Sequence, residues 1–274
     1  MAAETLKARI ARGDLVVGVM VFEFFTPGIA QLAKAAGADF VFYDMEHGGA
    51  GIETIKAQCA YCRDLGIAPL VRVPVAEYHF IARALDAGAI GIMVPMVETA
   101  KAARAIVAAT RYPPEGRRGA AFGFAHDDYL PGEPKEKIAA LHARTVVIPM
   151  IETPGGAENA AAIAAVPGVD MLWVGHFDLT NFMGIPGAFE NPRYLEAIAK
   201  VIAGAGKSGK PVGFMAMDED WSSRYHALGF RVFAYSSDMH LFQRALGGGV
   251  RHLRSLGGRS IKRKGGSDGP SESP

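Results

Sequence analysis

Short apolar runs recur along the chain at residues 15–21, 40–44, 68–73, 91–97, 146–151, 171–175, 212–216 and 232–236. They are continuous runs, the pattern of parallel strands buried on both faces. Between most of them lie segments of helical spacing rich in Ala, Leu, Lys and Glu, at 27–36, 51–65, 77–87, 100–110, 157–165 and 192–207. Several of these end on glycine followed by an apolar run, at Gly37, Gly88, Gly168 and Gly229, as a helix-to-strand junction requires. About eight strand-then-helix units in about 255 residues predict an α/β protein, a single-domain (β/α)₈ TIM barrel. The barrel is expected over residues 1–256, with a disordered tail at 257–274. No GxGxxG follows a strand, so nothing favours a dinucleotide-binding open sheet. The longest irregular stretch, residues 111–134, carries Arg117, Arg118, Phe122, Phe124 and His126. A connection of that length is expected to be a binding loop.

Composition narrows the partners. There are 29 basic and 28 acidic residues, for a net charge of +1. That balance gives no electrostatic case for nucleic acid or an anionic membrane surface and points to small metabolites. The two cysteines, Cys59 and Cys62, form a lone CxxC inside a predicted helix, where packing is favoured over redox or zinc chemistry. The N-terminus reads as an amphipathic helix start without a signal-peptide core, and no stretch is long enough to span a bilayer. A cytoplasmic protein is expected.

The chemistry lies in polar residues at the ends of apolar runs. Glu152 closes one run and Asp178 another. Each reads alone as a helix cap or loop acid; together at a barrel rim they offer hard oxygen ligands to a divalent cation such as Mg²⁺, Mn²⁺ or Co²⁺. A 2-oxo acid chelating through its ketone and carboxylate is the natural substrate of such a site. Arg72 interrupts a strand of Leu, Val and Pro. It is either a buried ion pair with Asp86 or Glu46, or a guanidinium aimed at an enolate oxygen or carboxylate. Asp44 and His47 offer an acid–imidazole pair for proton transfer, and Glu46 alternates to the other side, where it could pair with Arg72. Gly175 marks a strand-to-helix turn suited to binding an anion, followed by His176 and Phe177. His176 is a conceivable third ligand, with exposure in the loop the simpler reading. No strand-end lysine supports an imine mechanism.

Six segments in this order resemble the HpcH/HpaI aldolase family of metal-dependent class II pyruvate aldolases: Asp44-Met-Glu-His, Val71-Arg-Val-Pro, Gly91-Ile-Met-Val-Pro-Met-Val, Thr110-Arg-Tyr-Pro-Pro-Glu-Gly-Arg-Arg-Gly, Ile151-Glu-Thr and Gly175-His-Phe-Asp-Leu. The resemblance runs from about residue 5 to about residue 255. It implies reversible cleavage of a 4-hydroxy-2-oxo acid to pyruvate and an aldehyde through a metal-bound enolate. It implies Glu152 and Asp178 as metal ligands, His47 with Asp44 as the catalytic proton-transfer unit, and Arg72 as catalytic and on the pyruvate oxygens. Gly175, Phe177 and Asp178 complete the substrate-binding set. It also implies a homo-hexamer in which the last helix packs on a neighbouring subunit, with the 111–134 loop selecting the aldehyde at a subunit boundary. Two positions depart from the family pattern: Met150 stands where glutamine is usual, and His176-Phe177 where Pro-Ala is usual. The alternatives are a citrate-lyase-like enzyme acting on a CoA thioester, for which Arg117 and Arg118 would serve the cofactor, and a non-catalytic oxo-acid-binding barrel.

Overall fold

The computed structural model describes residues 5–63 and 65–256. Eight parallel strands close in sequence order into a barrel: β1 (Val16–Val21), β2 (Phe40–Asp44), β3 (Ala68–Arg72), β4 (Gly91–Val94), β5 (Val146–Ile151), β6 (Leu172–Val174), β7 (Val212–Ala216) and β8 (Val232–Ser237). Helices α1 (Leu6–Ala11), α2 (Ile29–Ala35), α3 (Ile52–Cys62), α4 (Tyr78–Asp86), α5 (Ala100–Thr110) and α6 (Pro134–Arg144) accompany the first half. The second half has α7 (Pro154–Glu158), α8 (Ala160–Ala164), α9 (His176–Phe182), α10 (Pro192–Gly206), α11 (Glu219–Leu228) and α12 (Asp238–Leu256). The expected (β/α)₈ TIM barrel is the observed fold. The helix expected over 157–165 is two short helices joined at Asn159.

Side chains alternate between two layers, because a strand turns successive residues to opposite faces. Phe40, Phe42, Leu70, Val146, Ile148, Met150, Met171 and Trp173 fill the interior. Val41, Tyr43, Val71, Ile92, Val147 and Phe214 belong to the layer shared with the helices. Small residues admit the largest inward ones: a Cβ at Gly213 would lie 2.3 Å from the Trp173 ring. Leu6 and Ile10 of α1 join the interior beside Val16, Phe40 and Val146, closing the end where the strands begin. Lys7 anchors that plug on the Thr145 carbonyl at 2.7 Å and on Asp170 at 3.0 Å.

The same alternation carries the polar residues. Asp44 follows Phe40 and Phe42, Arg72 follows Ala68 and Leu70, and Glu152 follows Ile148 and Met150. Each tops an inward-facing row at the carboxyl end, where barrel enzymes place their chemistry. Parallel pairing sets Asp44 directly beside Arg72.

Contacts divide the chain into the barrel, through Asp238, and a second unit beginning at Met239. The described part of that unit is the rest of α12, on which Phe242, Leu246, Leu253 and Leu256 are exposed. The tail at 257–274 lies outside the described residues.

Candidate active site

Asp44 is fully buried, and its oxygens are committed. Oδ1 accepts from Arg72 Nε, while Oδ2 accepts from the backbone N–H groups of His47 at 2.7 Å and Gly48 at 3.0 Å. The acid–imidazole pair expected between Asp44 and His47 is therefore a carboxylate-to-backbone turn. The chain reverses immediately after β2, which brings amide groups over Asp44 and sends the imidazole outward. The carboxylate facing the ring is that of Glu46, whose Oε2 lies 3.8 Å from His47 Nε2 and 3.1 Å from Arg72 Nη1. Burial raises the Glu46 pKa despite that guanidinium.

Arg72 is nearly buried and held between Asp44 and Glu46. Asp86, the other partner considered, pairs with Arg118 at 2.5 Å. The Phe22 ring sits 5.6 Å from the Arg72 guanidinium carbon. Phe22 is positioned by Asp238, which accepts from the N–H groups of Phe22, Glu23 and Phe24 at 3.1, 3.0 and 2.6 Å. The ion pair and a functional role are compatible, since Arg72 and His47 both line one cavity of about 170 Å³ that opens to solvent.

Glu152 lies just past β5 and is 2% exposed. Its Oε1 accepts from Met96 N–H at 2.6 Å. Met96 has left-handed backbone (φ 58°), a conformation costly for a non-glycine residue and concentrated at functional sites. The run expected to be strand over 91–97 thus ends at Val94 and turns. Burial, opposed by that hydrogen bond and reinforced by the Glu46 and Asp178 carboxylates, pushes the Glu152 pKa up to about 7. Asp178 is not at a strand end but on the first turn of α9, where it lines the cavity with Gly175 and Phe177. Gly175 is sterically required: a Cβ there would lie 2.7 Å from Glu152 Cβ, an atom fixed to its backbone, and 2.4 Å from Glu152 Oε2.

The donor chemistry fits a divalent cation. Glu152 and Asp178 act on one another electrostatically, and burial drives Glu152 toward protonation, a cost that a bound cation would relieve. Among the described residues no group of three or more His, Cys, Asp or Glu side chains could hold a metal. The fit is to an ion that keeps positions open for water and substrate.

His176 is not exposed in a loop, as the simpler reading expected, but buried at the cavity wall. It is 3% exposed, enclosed by Phe177, Phe189, Phe214 and Trp221, and burial lowers its pKa to about 3. Cys59 and Cys62 are buried packing residues, the latter 3.3 Å from the Tyr43 hydroxyl. Burial raises both thiols, Cys62 to about 11. Arg118 is 2% exposed, paired with Asp86 and lying over the Tyr112 ring, while Arg117 lies over Tyr78. Arg118 therefore does not offer the accessible cation that a CoA groove would use. The 111–134 loop follows α5 and so leaves the barrel at the end where strands begin. The cavity is also lined by His176 and Val174 and, on its apolar wall, by Met20, Phe22, Met93, Met150, Trp173 and Met215. Sequence reasoning passed over these, although the inward parity of each run marks most of them.

A closed parallel barrel with carboxylates, a guanidinium and an imidazole at its carboxyl rim defines a (β/α)₈ enzyme. The sequence profile of the HpcH/HpaI aldolase/citrate lyase family matches residues 19–245, and the chain belongs to that family. It is 34% identical over 245 residues to a hydroxypyruvate/pyruvate aldolase of Delftia acidovorans, covering 89% of this chain and 90% of that one. It is 35% identical over 258 residues to a 4-hydroxy-2-oxovalerate aldolase of Novosphingobium aromaticivorans, covering 91% and 94%. The crystal structure of an HpcH/HpaI aldolase from Desulfitobacterium hafniense superimposes with a TM-score of 0.88 at 30% identity, covering 93% and 98%. The chain is an enzyme of the lyase class, an aldolase. Citrate lyase relatives are more distant. No helix among the described residues is long and apolar enough to cross a membrane.

Proposed function

We propose that this aldolase is divalent-cation-dependent and reversibly cleaves a 4-hydroxy-2-oxo acid to pyruvate and an aldehyde. The observation that carries the reading is the buried Glu152 carboxylate, fixed by Met96 N–H beside Asp178 and Arg72. Glu152 and Asp178 would hold Mg²⁺, Mn²⁺ or Co²⁺. The bound cation would supply Lewis-acid polarisation of the ketone. Arg72, immobilised by Asp44 and Glu46, directs its remaining N–H donors at oxygens that gain negative charge. The opening turn of α9 at Gly175 presents backbone amides to the substrate carboxylate. Phe177 and the methionines exclude water around the reacting carbons.

In the cleavage direction His47 accepts the proton of the 4-hydroxyl group. The C3–C4 bond breaks, its electron pair passes to the C2 oxygen as an enolate, and the aldehyde leaves. His47 then returns the proton to C3, giving pyruvate. Its exposure at the cavity mouth suits a group that trades protons.

A homo-hexamer in the cytoplasm is carried by the likeness to the family. The exposed apolar residues of α12 offer a surface for a second copy, and a neighbouring copy would be needed to bring a 111–134 loop to an acceptor pocket. Sedimentation of the purified protein tests the assembly. The activity is tested by release of pyruvate from 4-hydroxy-2-oxo acids with and without a chelator. Undiminished turnover in a demetallated sample refutes the cation, and absence of pyruvate release from every such acid refutes the reaction.

A further inference from the structure

Resting on the reaction proposed above, we infer that Phe177 determines acceptor specificity, its ring limiting the acceptor to short apolar aldehydes. Of the residues lining the active-site cavity, only His47 and Phe177 are strongly exposed, 58% for the His47 side chain and 48% for Phe177. Met20, Met93, Met150 and Trp173 are buried and close its floor. The oxo-acid end of the substrate is held inside by Arg72 and the opening turn of α9, and C4 sits by His47. Carbons beyond C4 therefore leave past the Phe177 ring. That ring is held in place. It lies 4.6 Å from the His176 ring and edge-on to Phe189 at 5.3 Å and 84°. His176 is itself packed against Phe189, Phe214 and Trp221. Tilted and edge-to-face pairs of this kind are the favoured aromatic arrangements, so the ring resists swinging aside for a long acceptor. The cavity, about 170 Å³, is well below the roughly 300–1,000 Å³ of sites that take drug-sized ligands. Among the described residues, Arg72 is the only Lys or Arg lining it, and Asp44 and Glu46 already hold that guanidinium. An acceptor carrying its own carboxylate would leave that charge unpaired near Asp178, whereas a short alkyl chain would lie against the ring.

The test compares kcat/KM for addition of pyruvate to propanal, hexanal and 4-oxobutanoate, with Mg²⁺ present. The wild type is expected to prefer propanal to each of the others by at least about tenfold. Phe177→Ala should bring hexanal close to parity with propanal and leave 4-oxobutanoate disfavoured, since it adds no cation. Binding provides a second measure, because 2-oxopentanoate and 2-oxooctanoate extend along the acceptor path and cannot be cleaved. In titration calorimetry Phe177→Ala should tighten 2-oxooctanoate relative to 2-oxopentanoate by about tenfold. Should Phe177→Ala not fold, Phe177→Leu decides by the same comparisons. Wild-type use of hexanal or 4-oxobutanoate as readily as propanal overturns this inference alone. So does a variant that changes all three aldehydes by one factor, or one that leaves the two oxo acids in their wild-type ratio. No addition to any aldehyde, with no exchange of pyruvate methyl protons into deuterated solvent, overturns the reaction and this inference with it.

Discussion

Glu152 gives a quantitative test of the proposed cation site. A carboxyl that ordinarily ionises near 4.5 is raised here to about 7, chiefly by burial, with Glu46 and Asp178 adding to the effect. Only the ionised form is a good ligand, so proton and cation compete for it. With an ordinary carboxylate, affinity would be nearly flat between pH 5.5 and 8. With the raised pKa, only about 3% of Glu152 is ionised at pH 5.5, so Mn²⁺ should bind about 30-fold more weakly there than at pH 8. The slope below pH 7 should approach a factor of about ten per pH unit. Stability moves in step. The group is protonated in both folded and unfolded protein below pH 4.5, so it contributes nothing there. As pH rises from 4.5 to 7 the unfolded chain ionises first, and the cation-free fold loses about 3 kcal/mol. A cation should restore that loss most fully above pH 7. Equilibrium binding of Mn²⁺ followed by electron paramagnetic resonance, from pH 5.5 to 8, measures the affinity directly. A pH-independent affinity over that range would refute the reasoning, as would tight binding to Glu152→Gln.

Three further perturbations follow from named contacts. Gly175→Ala would drive a methyl into Glu152 Oε2 and Met150 Cε, so it should abolish Mn²⁺ binding while the far-ultraviolet circular dichroism stays native; wild-type binding would count against it. Arg72→Met leaves Asp44 buried without its guanidinium and should destabilise by about 3 kcal/mol, measured by urea unfolding, with loss of turnover; an unchanged midpoint would contradict the pairing. Cys59 and Cys62, buried and with raised thiol pKa values, should resist alkylation in native protein at pH 7.5, and rapid labelling would contradict their packing role.

The barrel was legible because buried parallel strands leave uninterrupted apolar runs, and three of the eight, 40–44, 146–151 and 212–216, have the predicted bounds. The polar strand ends were legible for a related reason. A charge such as Arg72 in an apolar run needs a partner, and strand parity with parallel register then selects Asp44 beside it. Contacts set by backbone reversals were not legible. The turn after β2 presents the His47 amide rather than its ring to Asp44 and leaves the ring 3.8 Å from Glu46, since whether a side chain past a strand points in or out depends on the turn. Met96 is likewise visible only as backbone, in a left-handed conformation that its side chain does not signal. His176 was misread because its neighbours in sequence suggest a loop, while the aromatic residues that bury it come from α11, β7 and the segment before α10.

The 111–134 loop shows why content alone does not place a site. Its arginines and aromatic residues suit a binding loop, but direction along the chain decides its end of the barrel. A helix following a parallel strand runs back toward the strand starts, so a loop that follows α5 emerges opposite the carboxyl rim. The loop then runs along the outside of α4: Arg118 is spent on Asp86 at that helix's end and on Tyr112, and Gly119 N–H on the Tyr78 hydroxyl at its start, at 2.7 Å. The cavity itself is lined by Phe22 and Phe177, which follow strands, and by the methionines within β1, β4, β5 and β7. An apolar wall of that kind discriminates aldehydes by size and polarity with modest ratios, because each methylene in such a pocket is worth only about 1–3 kcal/mol.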